Sequence, residues 1–153
     1  MIEWQWHAFA ELSNLDLYAV LAARQQVFIM EQTCLFLDMD GLDADAQHLL
    51  GWTVVDGKRQ LAAYLRVLAP GVKYAEASIG RVLTTPAARG TGAGRALLKE
   101  GTLGVDRLYP GHANRIGAQL YLEKFYQQFG YVTITAPYDE DGIMHVDMLR
   151  AAT

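Results

Sequence analysis

Apolar and polar residues in the first half of the chain follow the spacings of strands and of one helix. Residues 2–9 set aromatic side chains among polar ones, a pattern that predicts a strand. Apolar residues recur at helical spacing over residues 15–30. Two more strands are predicted at 48–55 and 60–68, because the hairpin dipeptide Asp-Gly stands between them at 56–57.

Strand and helix patterns alternate in the second half. The predicted elements are a strand at Ser78–Thr84, a helix at about 92–108, a short strand at Asn114–Gln119, a helix at 120–129, and strands at 131–136 and 143–149 around a turn at 138–142. The whole order predicts a mixed α/β (α+β) fold in which some strands of the second half are parallel.

Composition narrows the class of protein. The chain has 153 residues, of which 52% are hydrophobic and 20% charged, so we expect one globular domain over residues 1–153. A net charge of −4 disfavours nucleic acid as a partner. With no apolar run near the ~20 residues that span a bilayer and no signal-like start, we predict a cytoplasmic protein without a membrane partner.

The sharpest chemical signal is a glycine-rich stretch directly after the strand at Ser78–Thr84. Residues 89–95 read Arg-Gly-Thr-Gly-Ala-Gly-Arg and run into the next helix. Alternating glycines let the backbone approach a ligand, and a helix start adds unpaired N–H groups and a positive dipole end. Because Arg89 and Arg95 add charged donors, the loop predicts a phosphate or diphosphate site.

Two common nucleotide loops do not fit this stretch. A Walker A loop needs Lys-Ser/Thr after its last glycine, and a Gly-x-Gly-x-x-Gly fingerprint fails because its last position holds Arg95 or Leu97. The remaining pattern, Arg-x-x-Gly-x-Gly at 89–94, resembles the coenzyme A loop of the GNAT superfamily of N-acetyltransferases. A tight strand-to-helix turn without a ligand is the alternative.

The resemblance implies a cofactor site and a fold. The implied diphosphate-binding residues are Arg89, Gly90, Thr91, Gly92, Ala93, Gly94 and Arg95, and the implied pantetheine-binding residues are Val82, Leu83 and Thr84. The implied fold is a central mixed twisted β-sheet of six to seven strands flanked by about four helices. Acetyl-CoA is the implied co-substrate, and no metal is expected.

Further segments carry the same resemblance. Residues 122–131, LEKFYQQFGY, look like the family's helix that bears a tyrosine, which implies that Tyr126 lies near the coenzyme A sulfur. Residues 27–49 and 138–148 resemble the ElaA branch, with patterns V-F-x-x-E-Q-x-C…D-x-D-G-x-D…H and E-D-G-I-P-H-x-x-M. This chain departs from the second pattern by carrying Met144 where proline is usual.

These likenesses predict acetyl transfer from acetyl-CoA to a primary amine of a small molecule or peptide. Tyr126 is the predicted proton donor to the departing thiolate. Glu31 and Gln32 are expected to line the acceptor side, together with His145. The general base is predicted among Glu31, His48 and His145, with a water chain or purely structural roles as alternatives.

Other interpretations stay open at this stage. The acidic residues Asp38, Asp40, Asp43 and Asp45 fail the EF-hand pattern, so they either cap the loop or attract a cationic amine. Cys34 is expected as a buried thiol. The protein is alternatively a non-catalytic acyl-CoA sensor or a transferase of another acyl group, and a homodimer is one expected assembly, since exposed sheet edges pair.

Overall fold

Eight strands form two antiparallel sheets that meet at a single point. The computed structural model describes all 153 residues. The strands are β1 (Glu3–Ala8), β2 (Gln47–Val55), β3 (Lys58–Leu68), β4 (Ser78–Thr84), β5 (Asn114–Gln119), β6 (Tyr131–Thr133), β7 (Tyr138–Glu140) and β8 (Ile143–Arg150). The first sheet has the order β1-β2-β3-β4; in the second, β8 pairs with β5 on one edge and with β6 and β7 on the other.

Three α-helices connect and cover these sheets. They are α1 (Asn14–Arg24), α2 (Ala93–Leu108) and α3 (Glu123–Gln127). α1 begins where Ser13 Oγ accepts a hydrogen bond from the Asp16 amide at 3.0 Å, and it continues as a π-helical segment over Gln25–Glu31. None of the helices combines the length and the apolar character that crossing a bilayer requires.

The first sheet carries a helix on each face, because its strands alternate side chains between two apolar layers. On one face, Leu49 of β2 and Leu65 of β3 pack in the core cluster that contains Leu97 of α2. On the other face, Leu50 and Tyr64 pack in a cluster with residues of α1. The register between β2 and β3 pairs Leu49 with Leu65 and Leu50 with Tyr64, so each pair shares a face.

Two glycines let α2 lie close to the sheet. A Cβ on Gly104 would meet Trp6 Cζ2 at 2.0 Å, and one on Gly101 would meet Leu65 Cδ2 at 2.7 Å. Glycine lowers helix propensity by roughly 1 kcal/mol. Here the close packing explains why the helix nevertheless continues to Leu108.

The predicted mixed α/β class is confirmed, but the element counts differ, and the parallel pairing predicted for the second half is confined to the bridge between Ala77 and Asn114. There are eight strands and three α-helices rather than six to seven and about four. The segment predicted as a turn at 138–142 forms β7 followed by a two-residue turn. Asp141 and Gly142 both have positive φ there, which allows Glu140 to pair with Ile143.

Candidate active site

A cleft opens where β4 and β5 separate. The two strands are joined only at their amino ends, where the Arg115 amide donates to the Ala77 carbonyl at 2.9 Å in a parallel bridge. Beyond this bridge the edge of β4 that faces β5 has no strand partner. The opposite edge of β4 pairs with β3. Residues of both strands, among them Leu83 and Gly117, line a cleft of about 780 Å³.

A β-bulge shapes the β4 wall of this cleft. Arg81 and Val82 together oppose the single residue Leu65 of β3, and Arg81 adopts a left-handed φ of 52°. The extra residue reverses the direction of the side chains that follow it. Ile79 therefore packs with α2, whereas Leu83, four residues later, packs in the cluster beside α1.

The left-handed backbone conformation costs about 1–2 kcal/mol in a non-glycine residue. Ion pairs hold Arg81 in this conformation. Its Nη2 donates to the Asp38 carbonyl at 2.8 Å, and its Nε lies 2.8 Å from Asp38 Oδ1, at an angle that suits charge attraction better than hydrogen bonding. Nη2 also lies 3.4 Å from Asp40 Oδ2. The acidic loop and the bulged strand are thus fastened to each other.

Two buried arginines complete the network. Their ion pairs give the acidic residues of the loop a structural role. Arg24 Nη1 donates to Asp43 Oδ1 at 2.7 Å, and Arg66 donates to the same oxygen at 3.0 Å and to Asp40. Burial alone would raise the pKa of Asp43, but its hydrogen bonds to these guanidiniums hold that pKa below its usual range. Three of the four predicted acidic residues therefore brace the loop; Asp45 is exposed.

The glycine loop presents a row of free backbone donors at the start of α2. Gly90 and Gly92 adopt φ values of 76° and 83°, which glycine alone accepts without strain. None of the amides from residue 90 to residue 95 donates a hydrogen bond within the chain. Together with the positive dipole end of α2, these amides form a surface that suits an anion.

The two predicted loop arginines lie in different settings. Arg95 is exposed at the start of α2. Arg89 Nη2 donates to Glu31 Oε1 at 2.7 Å and to the Thr84 carbonyl at 3.1 Å, and both Arg89 and Glu31 line the cleft. The hydrogen bond from Arg89 lowers the pKa of Glu31. A carboxylate held in this way is a weaker base than a free one.

Tyr126 of α3 lines the same cleft as residues of β4. Its ring packs edge-on against Phe125 and Tyr131, with centroids 5.4 and 5.8 Å away. The side chain is 6% exposed and lines the cleft, and its hydroxyl makes no hydrogen bond within the chain. Burial raises the pKa of this hydroxyl, and nearby Tyr121 adds to the rise. The group therefore keeps its proton at neutral pH.

Another part of the cleft gathers residues from distant segments. Gln32 Oε1 accepts from Gln119 Nε2 at 3.1 Å, which links the π-helical segment to β5. His145 Nδ1 lies 2.7 Å from the Ile143 carbonyl, and its Nε2 lies 3.7 Å from Glu140 Oε2. The Cys34 thiol lines the same region, and burial raises its pKa, so it is held as a thiol. Glu31, Gln32 and His145 thus all line this cleft, and their role toward an acceptor stays a prediction.

His48 is a different case, and its placement corrects the prediction that it serves as a base. It is 1% exposed and does not line the cleft. Nδ1 lies 2.7 Å from the Tyr64 hydroxyl and Nε2 lies 2.9 Å from the Asp43 carbonyl, so both ring nitrogens are occupied. Burial lowers the His48 pKa, which keeps the ring neutral. His48 supports the Asp43 segment and does not reach an acceptor.

Several residues that shape the site were missed by sequence reasoning. Arg24, Arg66 and Arg81 are far apart in the chain, and no spacing rule predicts that they share three aspartates. One signal was present: an arginine stands within each of the largely apolar stretches that form β3 and β4. A charged residue in such a strand requires a buried partner.

Comparisons with known proteins agree with this geometry. Residues 46–151 match the family described as the Acetyltransferase (GNAT) domain. A UPF0039 protein of Synechocystis sp. is 43% identical over 148 residues, covering 97% of this chain and 94% of that protein. Protein ElaA of Escherichia coli is 40% identical over 152 residues, covering 98% and 97%, and its crystal structure superposes with a TM-score of 0.89.

A solved acyl-CoA N-acyltransferase from Pseudomonas aeruginosa is also similar. It has 38% sequence identity and a TM-score of 0.91, with 99% of this chain and 100% of that chain covered. The diverging strands and the loop at the start of α2 thus define an acyltransferase fold. The chain belongs to the GNAT acetyltransferase superfamily, in its ElaA-like branch.

The ion-pair network yields a stability prediction. Asp43→Ala leaves two buried guanidiniums without their shared partner, and breaking a buried pair costs about 3–5 kcal/mol. We expect the free energy of unfolding in urea to fall by about 3 kcal/mol. The matched variant Asp45→Ala removes the exposed carboxylate two residues away and should change it by less than about 0.5 kcal/mol.

The pH dependence provides a second readout of the same variant. Because the folded pKa of Asp43 lies below the unfolded value of about 3.9, its stabilisation is present above that pH and is lost as pH falls through the folded pKa. The difference between wild type and Asp43→Ala should therefore narrow in acid. Equal unfolding free energies for Asp43→Ala and Asp45→Ala at pH 7 would show that the network does not hold the loop.

Proposed function

We propose that this protein is an N-acetyltransferase that moves the acetyl group of acetyl-CoA directly to a primary amine. One observation carries the proposal: the amides of residues 90–95 at the start of α2 are unpartnered, and Gly94 of this loop lines the same cleft as the unpaired edge of β4 and Tyr126. A diphosphate, an extended arm and a sulfur thus each have a matching partner around one cleft.

The glycine loop fits a diphosphate on steric grounds as well. A Cβ built at Gly90 or Gly92 would meet no atom within 4 Å, so the space in front of both residues is open. Arg89 and Arg95 add charge, and Arg89 must exchange Glu31 for phosphate oxygens to do so. In this proposal, cofactor binding therefore releases Glu31 toward the acceptor side.

The unpaired edge of β4 suits an extended amide-bearing chain. Val82, Leu83 and Thr84 line the cleft, and their backbone groups would bond the pantetheine arm as an added strand does. The bulge at Arg81 and Val82 turns this segment relative to the rest of the strand. A backbone amide near Leu83 would polarise the thioester carbonyl in the manner of an oxyanion hole.

The reaction needs two proton transfers besides the attack itself. Bound acetyl-CoA supplies an activated acyl group: the amine nitrogen forms the new C–N bond as the C–S bond breaks. Tyr126 donates its proton to the departing thiolate, and solvent restores the proton to the phenolate. The hydroxyl described above is protonated at neutral pH, which this role requires.

His145 is the proposed base that removes the proton from the acceptor ammonium. With Nδ1–H donating to the Ile143 carbonyl, Nε2 keeps its lone pair for the acceptor. Glu140 Oε2 lies 3.7 Å from the same nitrogen. Glu31 and Gln32 also line the cleft, and Glu31 is held by Arg89 until the cofactor binds.

A cytoplasmic location and the homodimer remain predictions from the sequence.

The cofactor loop is tested by charge reversal. Arg89→Glu with Gly92→Glu places two carboxylates where the diphosphate binds, so we expect titration calorimetry to show no coenzyme A binding. The control Gly57→Glu with Lys58→Glu makes the same charge change at another glycine of positive φ, in the exposed β2–β3 turn, and should bind normally. Undiminished binding by the loop variant would refute the assignment.

Tyr126→Phe tests the proton donor. Removing the hydroxyl should lower kcat about 100-fold while the Kd for coenzyme A changes little, because the ring and its packing remain. The control Tyr131→Phe removes a neighbouring buried hydroxyl that donates to Asn114 and does not line the cleft. An unchanged kcat for Tyr126→Phe would remove this residue from the mechanism.

His145→Gln tests the base. We expect kcat/KM to fall about 100-fold with an unchanged Kd for coenzyme A, since an amide cannot take up the proton. His112→Gln, at an exposed loop position, should leave both values unaltered. The assay follows thiol release across a panel of amines and acyl-CoA thioesters. If the wild-type protein released no thiol with any amine of the panel, it would be the non-catalytic acyl-CoA sensor. A preference for a longer thioester would indicate transfer of another acyl group.

A further inference from the structure

The loop that follows the π-helical segment turns its apolar side chains toward water. Leu35, Leu37 and Met39 are 88%, 77% and 58% exposed, whereas the alternate residues Phe36 and Asp38 are half-buried. This is the reverse of the usual burial of apolar side chains. A group of such side chains on one surface marks a place that meets an apolar partner.

The ion-pair network prevents these side chains from turning inward. Asp38 accepts from Arg24 Nε at 2.9 Å, and Asp40 accepts from Arg66 at 2.5 and 2.9 Å. Burying Leu37 or Met39 by rotating the loop would break ion pairs of arginines that are almost fully buried. The apolar surface is therefore a fixed part of the fold.

An apolar groove runs beside this loop and adjoins the active-site cleft. Tyr18 and Ile29 on the helical side and Leu35 and Met39 on the loop side line a groove of about 730 Å³. Phe36 and Leu37 line both this groove and the cleft, so the two spaces are neighbours across one short segment. Both volumes lie within the ~300–1,000 Å³ typical of ligand pockets.

Charge differs between the two spaces. The acceptor side of the cleft carries Glu140 and Asp141, which are exposed and suit an ammonium group. The groove is lined almost entirely by apolar side chains. A molecule that occupies both is therefore cationic at the cleft and apolar in the groove. Because the acyl carrier would fill part of the cleft in the proposed function, the groove of about 730 Å³ is the space left for the rest of the acceptor.

We infer that the acceptor is a peptide whose amine enters the cleft while the apolar side chains flanking that amine occupy the groove of Tyr18, Ile29, Leu35 and Met39. The inference rests on the proposed acetyl transfer and adds the class of acceptor to it. Burying one leucine side chain contributes about 1.5–3 kcal/mol, so apolar flanks should raise kcat/KM at least about tenfold.

Two synthetic hexapeptides test this inference. Ala-Leu-Leu-Lys-Leu-Leu and Ala-Ser-Ser-Lys-Ser-Ser each offer one α-amine and one lysine amine, and they differ only in the flanking side chains. Thiol release from acetyl-CoA gives kcat/KM, and mass spectrometry locates the acetyl group. We expect the leucine peptide to be preferred at least tenfold, whichever of its amines reacts.

A groove variant separates this preference from the chemistry. Tyr18→Ser with Leu35→Ser changes two exposed groove residues that do not line the cleft. It should reduce the preference to within twofold and leave kcat/KM for the serine peptide unchanged. The control Val54→Ser with Leu103→Ser removes two exposed apolar side chains elsewhere and should keep the preference.

Each other outcome overturns the inference. Equal kcat/KM for the two peptides, or a groove variant that keeps the preference, shows that the groove does not hold the acceptor. A concentration-dependent dimer in sedimentation, lost in the groove variant while the preference persists, assigns the groove to a second copy. Acetylation of simple amines but of neither peptide overturns the inference alone, whereas no thiol release with any amine overturns the proposed function as well.

Discussion

The edge of β4 that has no strand partner is the constraint on which the site depends. β4 and β5 share one bridge at Ala77 and Asn114 and then separate, which leaves backbone groups of β4 facing an open cleft. An unpaired strand edge inside a protein is costly unless something pairs with it. In the proposed function an extended acyl-carrying arm is that partner. The separation of the two sheets therefore both leaves the β4 edge unpaired and provides the place where the arm binds.

The three arginines and three aspartates connect this edge to the acceptor side. Arg81 is left-handed and stands in the bulge, and its contacts with Asp38 fasten the loop of residues 34–40 to β4. Arg24 of α1 and Arg66 of β3, both nearly inaccessible, hold the same loop through Asp38 and Asp40, and they share Asp43 just beyond it. In the proposed function the network is therefore a scaffold that fixes the distance between β4, which binds the cofactor, and the acceptor surface. It also explains why charged residues are tolerated in two apolar strands.

Most strands and helices were predicted from the sequence, because the spacing of apolar residues and the turn residues that define them lie within a single segment of the chain. The bounds of β4 and β5 agree with the predicted residues, and the glycine loop lies at the start of α2 as expected. The bulge in β4 and the ion pairs of Arg24 depend on contacts between distant segments, which periodicity does not record. His48 shows the same limit: an imidazole after the acidic loop was a candidate base, but its hydrogen bonds to Tyr64 and the Asp43 carbonyl place it in the scaffold.

Amide hydrogen exchange, followed residue by residue with and without acetyl-CoA, tests the central claim most directly. The free amides of residues 90–95 and those on the open edge of β4 should exchange markedly more slowly when the cofactor is saturating, because each gains an acceptor. Amides at the apolar groove around Ile29 should be unaffected by the cofactor alone. Unchanged exchange at residues 90–95 under saturating acetyl-CoA would contradict the assignment of this loop and of the strand edge beside it.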